Sequence, residues 1–370
     1  MFAKKNLVAT AALMALVGAA QADVKLYGMV DVGVGSYESA HTRGQDSGRT
    51  TQVSSGNMMT SYIGLSGSED LGGGLKAEFA LESFLAPDTG ATLNNLAGGF
   101  WGRGSFVALN GGFGKVALGQ YDNPLFTSGY TYNPFGSSMP FSPTMRHFYA
   151  GAANLGFDTG FVNSITYETP NLGGFSAIVQ YAAKESTAAN ANDSYAIGAT
   201  YATGPFAITA TYVDGGNTSS ATAVPTVFTR TAYFADQKVW NLGSSFDFGV
   251  VKLFAQYSEV KTSAGLDVTA GPPTTAAYVT GLDEKAKIYQ VGVSIPVTEK
   301  GSILASYGES KFKAAPNAAS EADRLFSLGY DHFLSKRTDV YAVFSNNTQS
   351  ANTGNDESGQ TFAVGLRHNF

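Results

Sequence analysis

The chain has 370 residues, a formal charge of −6 and no cysteine. A negative charge argues against a nucleic-acid partner, which requires a concentrated basic patch. The absence of cysteine excludes thiolate metal sites and thiol catalysis. The four histidines show no metal-binding spacing: His41, His147, His332 and His368. We therefore predict no cofactor and no bound metal.

The first 22 residues have the three parts of a secretory signal peptide. Lys4 and Lys5 precede an apolar run from Leu7 to Ala20, and Ala20-Gln21-Ala22 provides a small-x-small cleavage site. The run is too short to span a bilayer, although a retained anchor is the alternative. We predict cleavage after Ala22 and a mature chain of residues 23–370. Cleavage removes two lysines and no acid, so the formal charge becomes −8.

The mature chain alternates apolar and polar side chains with the two-residue period of β-strands. In residues 75–82, apolar positions alternate with Lys76, Glu78 and Glu82, and similar segments occur at 26–34, 175–181, 195–201, 206–212 and 289–295. The last strand places apolar side chains on one face and ends at Phe370. Aromatic girdles of this kind mark the boundaries of membrane barrels. A soluble β-sandwich or propeller also alternates and is the alternative.

Seven short turns, five of which contain Gly or Asn, separate eight long polar connections, and fifteen connections join sixteen strands. The long connections are residues 39–58, 87–99, 122–160, 184–193, 214–235, 262–283, 312–322 and 348–359. Short turns on one side and long loops on the other are typical of outer-membrane barrels. We predict an all-β fold: a 16-stranded antiparallel transmembrane β-barrel with short periplasmic turns and long extracellular loops. A barrel of this size encloses water, so the polar side chains on one face of each strand can point into a hydrated lumen.

Several stretches carry a family resemblance, and together they span the mature chain. They are residues 24–31, 63–79, 111–119, 163–170 and 334–338, with the terminal phenylalanine. The chain resembles the general-diffusion porins of Gram-negative bacteria, closest to the trimeric β-proteobacterial group. The resemblance implies an outer-membrane homotrimer among lipid and lipopolysaccharide that passes ions and small hydrophilic solutes. It also implies a third loop folded into the lumen, and Phe370 as a signal for the barrel-assembly machinery.

The third long connection, residues 122–160, fits that pore-constricting loop. Seven of its aromatic side chains need a surface to cover: Phe126, Tyr130, Tyr132, Phe135, Phe141, Phe148 and Tyr149. Folding into the barrel provides such a surface. An external loop packed on its neighbours is the alternative.

This chain departs from the family pattern where a basic cluster is usual. Tyr62, Gln120 and Val162 occupy positions that often carry arginine in the family, whereas Arg103 matches. Parity with Ser164 and Thr166 predicts that Val162 faces the lumen. The remaining candidate pore residues are Lys115, Arg146 and His147 on the basic side, and Asp31, Glu78, Glu82 and Asp122 on the acidic side. Basic and acidic side chains face each other across such a pore, and loss of basic ones shifts the ion preference towards cations. We therefore expect a neutral to weakly cation-preferring pore.

Four alternatives remain open from the sequence. Lys252 or Arg324 could restore the missing positive charge. The aromatic residues could form a path that prefers certain solutes. A barrel enzyme would need His332 or His368 beside a nucleophile, and no Gly-x-Ser-x-Gly motif is present, so no catalytic residue is predicted. An adhesive or structural barrel would conduct no current.

Overall fold

A computed structural model describes residues 23–38, 48–93, 98–150, 155–185, 192–220, 233–266, 280–313, 320–350 and 356–370. The side chains of 217–220, 233–235, 264–266 and 280–283 are not described. The predicted signal peptide, residues 1–22, lies outside these ranges and remains a prediction. Among the described residues, no helix is long and apolar enough to cross a membrane.

The described chain forms eighteen strands. They are β1 (Asp23–Tyr37), β2 (Thr50–Ser55), β3 (Tyr62–Gly72), β4 (Leu75–Ala86), β5 (Ala91–Thr92), β6 (Gly104–Gly111), β7 (Gly114–Asp122), β8 (Gly160–Glu168), β9 (Phe175–Ala182), β10 (Ser194–Thr203), β11 (Phe206–Ser220), β12 (Tyr233–Asp247), β13 (Lys252–Leu266), β14 (Thr280–Pro296), β15 (Gly301–Lys313), β16 (Glu321–Phe333), β17 (Thr338–Ser350) and β18 (Asp356–Asn369). The short strands β2 and β5 pair only with β1 and β4 and belong to loops. The other sixteen form a closed antiparallel barrel, which confirms the predicted strand number.

The barrel closes between its first and last strands. β1 pairs with β18 from Met29↔Asn369 to Ser36↔Phe362, and its first residues pair with β3. Phe370 extends this closure, because its N–H donates to the Gly28 carbonyl at 3.1 Å. A Cβ atom added at Gly28 would stand 2.6 Å from the Phe370 ring. Glycine at position 28 therefore makes room for the terminal aromatic side chain.

The two faces of the wall differ as the alternation predicts. The outer face exposes apolar side chains such as Val107, Leu118 and Ile165, whereas the inner face buries polar side chains such as Gln180 and Gln256. This separation leaves the inner amides available for hydrogen bonds across the lumen.

Several predicted loop boundaries were wrong. The strands flanking the predicted loops 214–235 and 262–283 continue to Ser220 and Leu266 and begin again at Tyr233 and Thr280. These strand ends are rich in Ser, Thr, Gly and Asn, which have low or context-dependent β-propensity. Backbone pairing with the neighbouring strand overrides that composition. The middles of both loops lie outside the described residues.

Candidate pore constriction

The described parts of the connection between β7 and β8, residues 123–150 and 155–159, are called here the inner loop. It contains two short helices, α1 (Pro124–Thr131) and α2 (Pro143–Tyr149). Each begins after a capping side chain, Asn123 or Ser142, and carries proline in its first turn, where an N–H is not needed. Neither helix was predicted from the sequence, although Asn-Pro and Ser-Pro are signals for a helix start.

The inner loop packs against the inner wall of the barrel. Four of the seven aromatic side chains named above are fully buried: Tyr132, Phe135, Phe141 and Phe148. Phe148 packs in one apolar cluster with wall residues of β11 to β14, and Phe135 and Phe141 pack in a second cluster with Met58 and Tyr341. Burial of each aromatic side chain contributes about 2 kcal/mol to holding the loop inside.

Wall amides also bind the backbone of the inner loop. Gln256 Nε2 donates to the carbonyls of Gly129 at 3.0 Å and Tyr132 at 2.9 Å. Gln290 Oε1 accepts from the Thr144 N–H at 2.9 Å and from its hydroxyl at 2.7 Å. The loop backbone therefore has specific partners on β13 and β14 in addition to its apolar contacts.

Six wall glycines lie directly beneath the inner loop, and we call them the glycine bed. A Cβ atom added at any of them would come within 2.3–3.1 Å of an inner-loop side chain. The members, each with the inner-loop residue above it, are Gly198 (Pro124), Gly215 (Phe157), Gly243 (Tyr132), Gly292 (Pro134), Gly308 (Pro143) and Gly329 (Phe135). Sequence reasoning missed these residues because it treated glycine as a turn former. Glycines within predicted strands at one parity could have indicated a close approach.

Asp31 is fully buried and binds the loop that follows β1. Its Oδ2 accepts from the N–H groups of Met58 at 2.7 Å and Met59 at 2.8 Å, and its Oδ1 accepts from Tyr341 Oη at 2.6 Å. The neighbouring Asn57 carbonyl accepts from the Ser138 hydroxyl of the inner loop at 2.6 Å. The prediction that Asp31 is an open pore residue was therefore wrong, because three hydrogen bonds hold its carboxylate inside the wall.

The wall opposite the glycine bed carries two ion pairs among the predicted pore residues. Arg103 pairs with Glu82 and lies over the Tyr62 ring at 3.9 Å from its centroid. Lys115 Nζ lies 2.9 Å from Glu78 Oε2. Arg103 and Lys115 are thus each neutralised by one of the predicted acidic residues.

Two cavities of about 580 and 550 Å³ adjoin the inner loop. Both are lined by Arg103, Asp122 and Tyr130, so these three side chains stand where the cavities meet. Gln120 lines the first cavity and donates to the Gly102 carbonyl at 2.5 Å, next to Arg103. Neither Lys252 nor Arg324 lines either cavity.

Arg367 forms a third charged group that the sequence analysis did not select. Its Nη2 lies 3.0 Å from Asp339 and 3.2 Å from Asp331, and both Arg367 and Asp331 line the second cavity. The polar parity of the last strand already placed Arg367 opposite its apolar residues. That pattern could have identified it as an inner-wall residue.

Val162 does not take the inward position that its parity predicted. Asn163 has a positive φ of 52°, and the β7–β8 register shifts between the Gly119↔Ser164 and Tyr121↔Phe161 pairs. The resulting bulge changes the parity. Phe161 joins the buried cluster, and Val162 is 38% exposed and lines neither cavity. The predicted role of Val162 was therefore wrong.

Arg146 and His147 lie on α2 and are held against the wall. Arg146 Nη2 donates to Asn347 Oδ1 at 3.1 Å. His147 is fully buried, and Nδ1 lies 3.8 Å from Asp323 Oδ2; among the described residues, neither ring nitrogen has a hydrogen-bond partner. His147 is therefore a packing residue, and the prediction that it contributes positive charge to the pore was wrong.

Acid is expected to loosen α2 through His147. Burial lowers the pKa of His147. The nearby charge of Arg146 lowers this pKa further, whereas the carboxylates of Asp323 and Glu309 raise it. Below the ordinary imidazole pKa of about 6.5, a displaced His147 takes up a proton and the packed one does not, so acid favours displacement. Open-channel noise in bilayers should rise as pH falls from about 6.5 towards 4. The same titration on His147→Gln should show no rise, and equal noise in both proteins would contradict the assignment.

A closed barrel with an apolar exterior, and cavities lined by charged side chains along a polar inner wall, defines a membrane-embedded channel. The chain belongs to the Gram-negative porin family, whose model matches residues 9–353. It is therefore a multi-pass β-barrel of the Gram-negative outer membrane that passes small hydrophilic solutes by passive diffusion.

Individual relatives agree with this assignment. The chain is 33% identical to outer membrane porin protein 32 of Delftia acidovorans, over 99% of this chain and 100% of the relative. It is 36% identical to the major outer membrane protein P.IB of Neisseria gonorrhoeae over 54% of this chain and 53% of the relative. The solved anion-selective porin from Comamonas acidovorans matches with a TM-score of 0.71 and 26% identity, covering 95% and 100% of the two chains. The trimer form of OmpT from Vibrio cholerae, at 14% identity and a TM-score of 0.66, covers 94% and 99% and shows the same fold.

Proposed function

We propose that this porin forms a weakly cation-preferring pore, which the inner loop narrows. One observation carries the proposal: the inner wall around the cavities holds more carboxylates than cations. The cations are Arg103, Lys115 and Arg367, and each contacts at least one carboxylate. Among the described residues, the carboxylates are Glu78, Glu82, Asp122, Glu168, Asp331 and Asp339.

The net charge of the wall gives the ion preference its sign. Fixed charge along a narrow aqueous path concentrates ions of the opposite sign, and low-dielectric walls strengthen this effect. A solved relative is described as anion-selective. The tyrosine at position 62, which resembles a family arginine position, removes one positive charge from the side of the pore that holds Arg103. The preference proposed here is therefore opposite to that of the relative.

We further propose that the protein is a homotrimer that contacts lipopolysaccharide and is assembled through its terminal phenylalanine. A trimeric neighbour with the same fold supports the oligomeric state. The packing of Phe370 against Gly28 at the barrel closure is consistent with a role for this residue in assembly.

The channel assignment also leaves no catalytic role for the strand histidines, His332 and His368. Their Nδ1 atoms bond Tyr330 and Thr338, and among the described residues no carboxylate contacts either ring.

The deciding experiment is the reversal potential of reconstituted channels across a KCl gradient. Wild-type protein should favour potassium weakly and insert in steps of three conductance levels. Tyr62→Arg should lower the potassium-to-chloride permeability ratio by up to about fivefold, because a unit charge a few ångströms from the ion path contributes about 1 kcal/mol in water. Tyr62→Phe is the matched control, since it keeps the ring beneath Arg103 and adds no charge. Marked chloride selectivity of the wild type would refute the proposal.

A further inference from the structure

The second cavity has an apolar side that a water-filled diffusion path does not require. Five partly exposed side chains form it: Met59, Phe84, Phe126, Tyr130 and Met139. We call this group the aromatic–methionine face. Its cavity, about 550 Å³, falls in the range that holds a small organic molecule. Aromatic and thioether groups in this arrangement offer ring faces and adaptable apolar contact.

The face belongs to rigid parts of the structure. Phe126 and Tyr130 stand one turn apart on α1, with ring centroids 5.2 Å apart in an edge-to-face arrangement. Phe84 belongs to β4. Met59 follows Met58, and the N–H groups of both donate to the buried Asp31 carboxylate. A bound solute would therefore meet side chains that are already held in position, which lowers the entropic cost of binding.

The charges at this cavity favour a cationic ligand. Arg103 contacts Glu82, and Arg367 contacts both Asp331 and Asp339, so each cation at the cavity is matched by a carboxylate. Asp122 also lines the cavity; Arg103, already paired with Glu82, is the cation that acts on it, and among the described residues no ion pair joins the two. Asp122 adjoins Phe126 and Tyr130 in the same lining. A cation at this place would meet one carboxylate and the faces of two aromatic rings.

We propose that the aromatic–methionine face and Asp122 form a binding subsite for aromatic ammonium compounds, which carry one ring and one positively charged amine. The ring packs among Phe84, Phe126 and Met139, and the amine lies between Asp122 and Tyr130. The positive charge assigned to the ligand rests on the cation preference proposed above, whereas the existence of the subsite rests on the apolar lining of the cavity. The subsite would retard the passage of such compounds relative to other solutes of similar size.

Single-channel recordings with three probes test the subsite. Benzylammonium carries both features, butylammonium lacks the ring, and benzoate carries the ring with the opposite charge. We expect benzylammonium to produce concentration-dependent current interruptions in the wild type, at concentrations about threefold to fivefold lower than the other probes need. Equal block by butylammonium, or stronger block by benzoate, would overturn the proposal.

Variants separate the subsite from general pore properties. Phe126→Leu keeps apolar volume and removes the ring, and Asp122→Asn removes the charge, so each should weaken benzylammonium block about threefold. Phe106→Leu is the matched control, because Phe106 lines only the first cavity and should leave block unchanged. If benzylammonium does not block while KCl gradients still show potassium preference, the subsite is refuted and the proposed pore function stands. Block that survives Phe126→Leu and Asp122→Asn unchanged also refutes it.

Discussion

Gly292→Ala is expected to lower single-channel conductance and raise open-channel noise. The added Cβ would stand 2.5 Å from Pro134 Cδ and 3.0 Å from its Cγ, while the nearest wall atom is 3.4 Å away. The proline ring cannot rotate away, so the inner loop must move about 1 Å from β14 into the lumen, at a cost of roughly 1–3 kcal/mol. Conductance and noise in planar bilayers measure the displacement directly.

Two further variants control this result. Gly112→Ala adds the same methyl group in a turn where nothing lies within 4 Å, and it should behave as the wild type. Pro134→Ala combined with Gly292→Ala removes the two clashing ring atoms and should restore most of the conductance. Wild-type conductance and noise in Gly292→Ala alone would show that the glycine bed does not determine the position of the loop.

Asp31→Ala is expected to give the second large effect, a pore with larger and more variable conductance. The substitution leaves the N–H groups of Met58 and Met59 and the Tyr341 hydroxyl without their acceptor. Each unsatisfied buried group costs about 1–3 kcal/mol. Met58 then leaves the apolar cluster that holds Phe135 and Phe141, and the segment between α1 and α2 loses that contact. Conductance histograms and thermal unfolding in detergent measure both consequences.

The controls separate hydrogen bonding from charge. Asp31→Asn keeps an acceptor for the backbone N–H groups and should retain near-wild-type conductance. Ser306→Ala truncates a buried inner-wall side chain whose hydroxyl has no hydrogen-bond partner in the part of the chain that the structure describes, and it should change neither quantity. If Asp31→Ala and Ser306→Ala behave alike, Asp31 does not position the loop.

These variants distinguish two kinds of inner-wall residue that look alike in the sequence. Asp31 and Glu82 both occupy polar positions in strands whose polar and apolar residues alternate. Asp31 is covered by residues 57–59 and positions the loop, whereas Glu82 lines the first cavity and neutralises Arg103. Substitution of Asp31 is expected to affect gating and stability, and substitution of Glu82 is expected to affect ion preference.

The sequence predicted the charged pore residues but not their pairing. Glu78 and Glu82 were selected because they follow the polar parity of their strand, Arg103 because it matches a family arginine position, and Lys115 as a further basic candidate. Their pairing into Arg103–Glu82 and Lys115–Glu78 was not predicted, since it depends on the register between β4, β6 and β7. Arg367 was missed even though it lies in the strand with the clearest alternation.

The sequence by itself determined the sixteen strands, the closed barrel and its two faces, because a two-residue period and local turn residues encode these features over a few positions. Only the tertiary structure decided which inward residues meet water. Asp31 and His147 are buried by segments distant in the chain, a single bulge at Asn163 turns Val162 away, and six glycines on different strands form one bed. These outcomes depend on how the inner loop packs across the lumen, where partners lie tens to hundreds of residues apart.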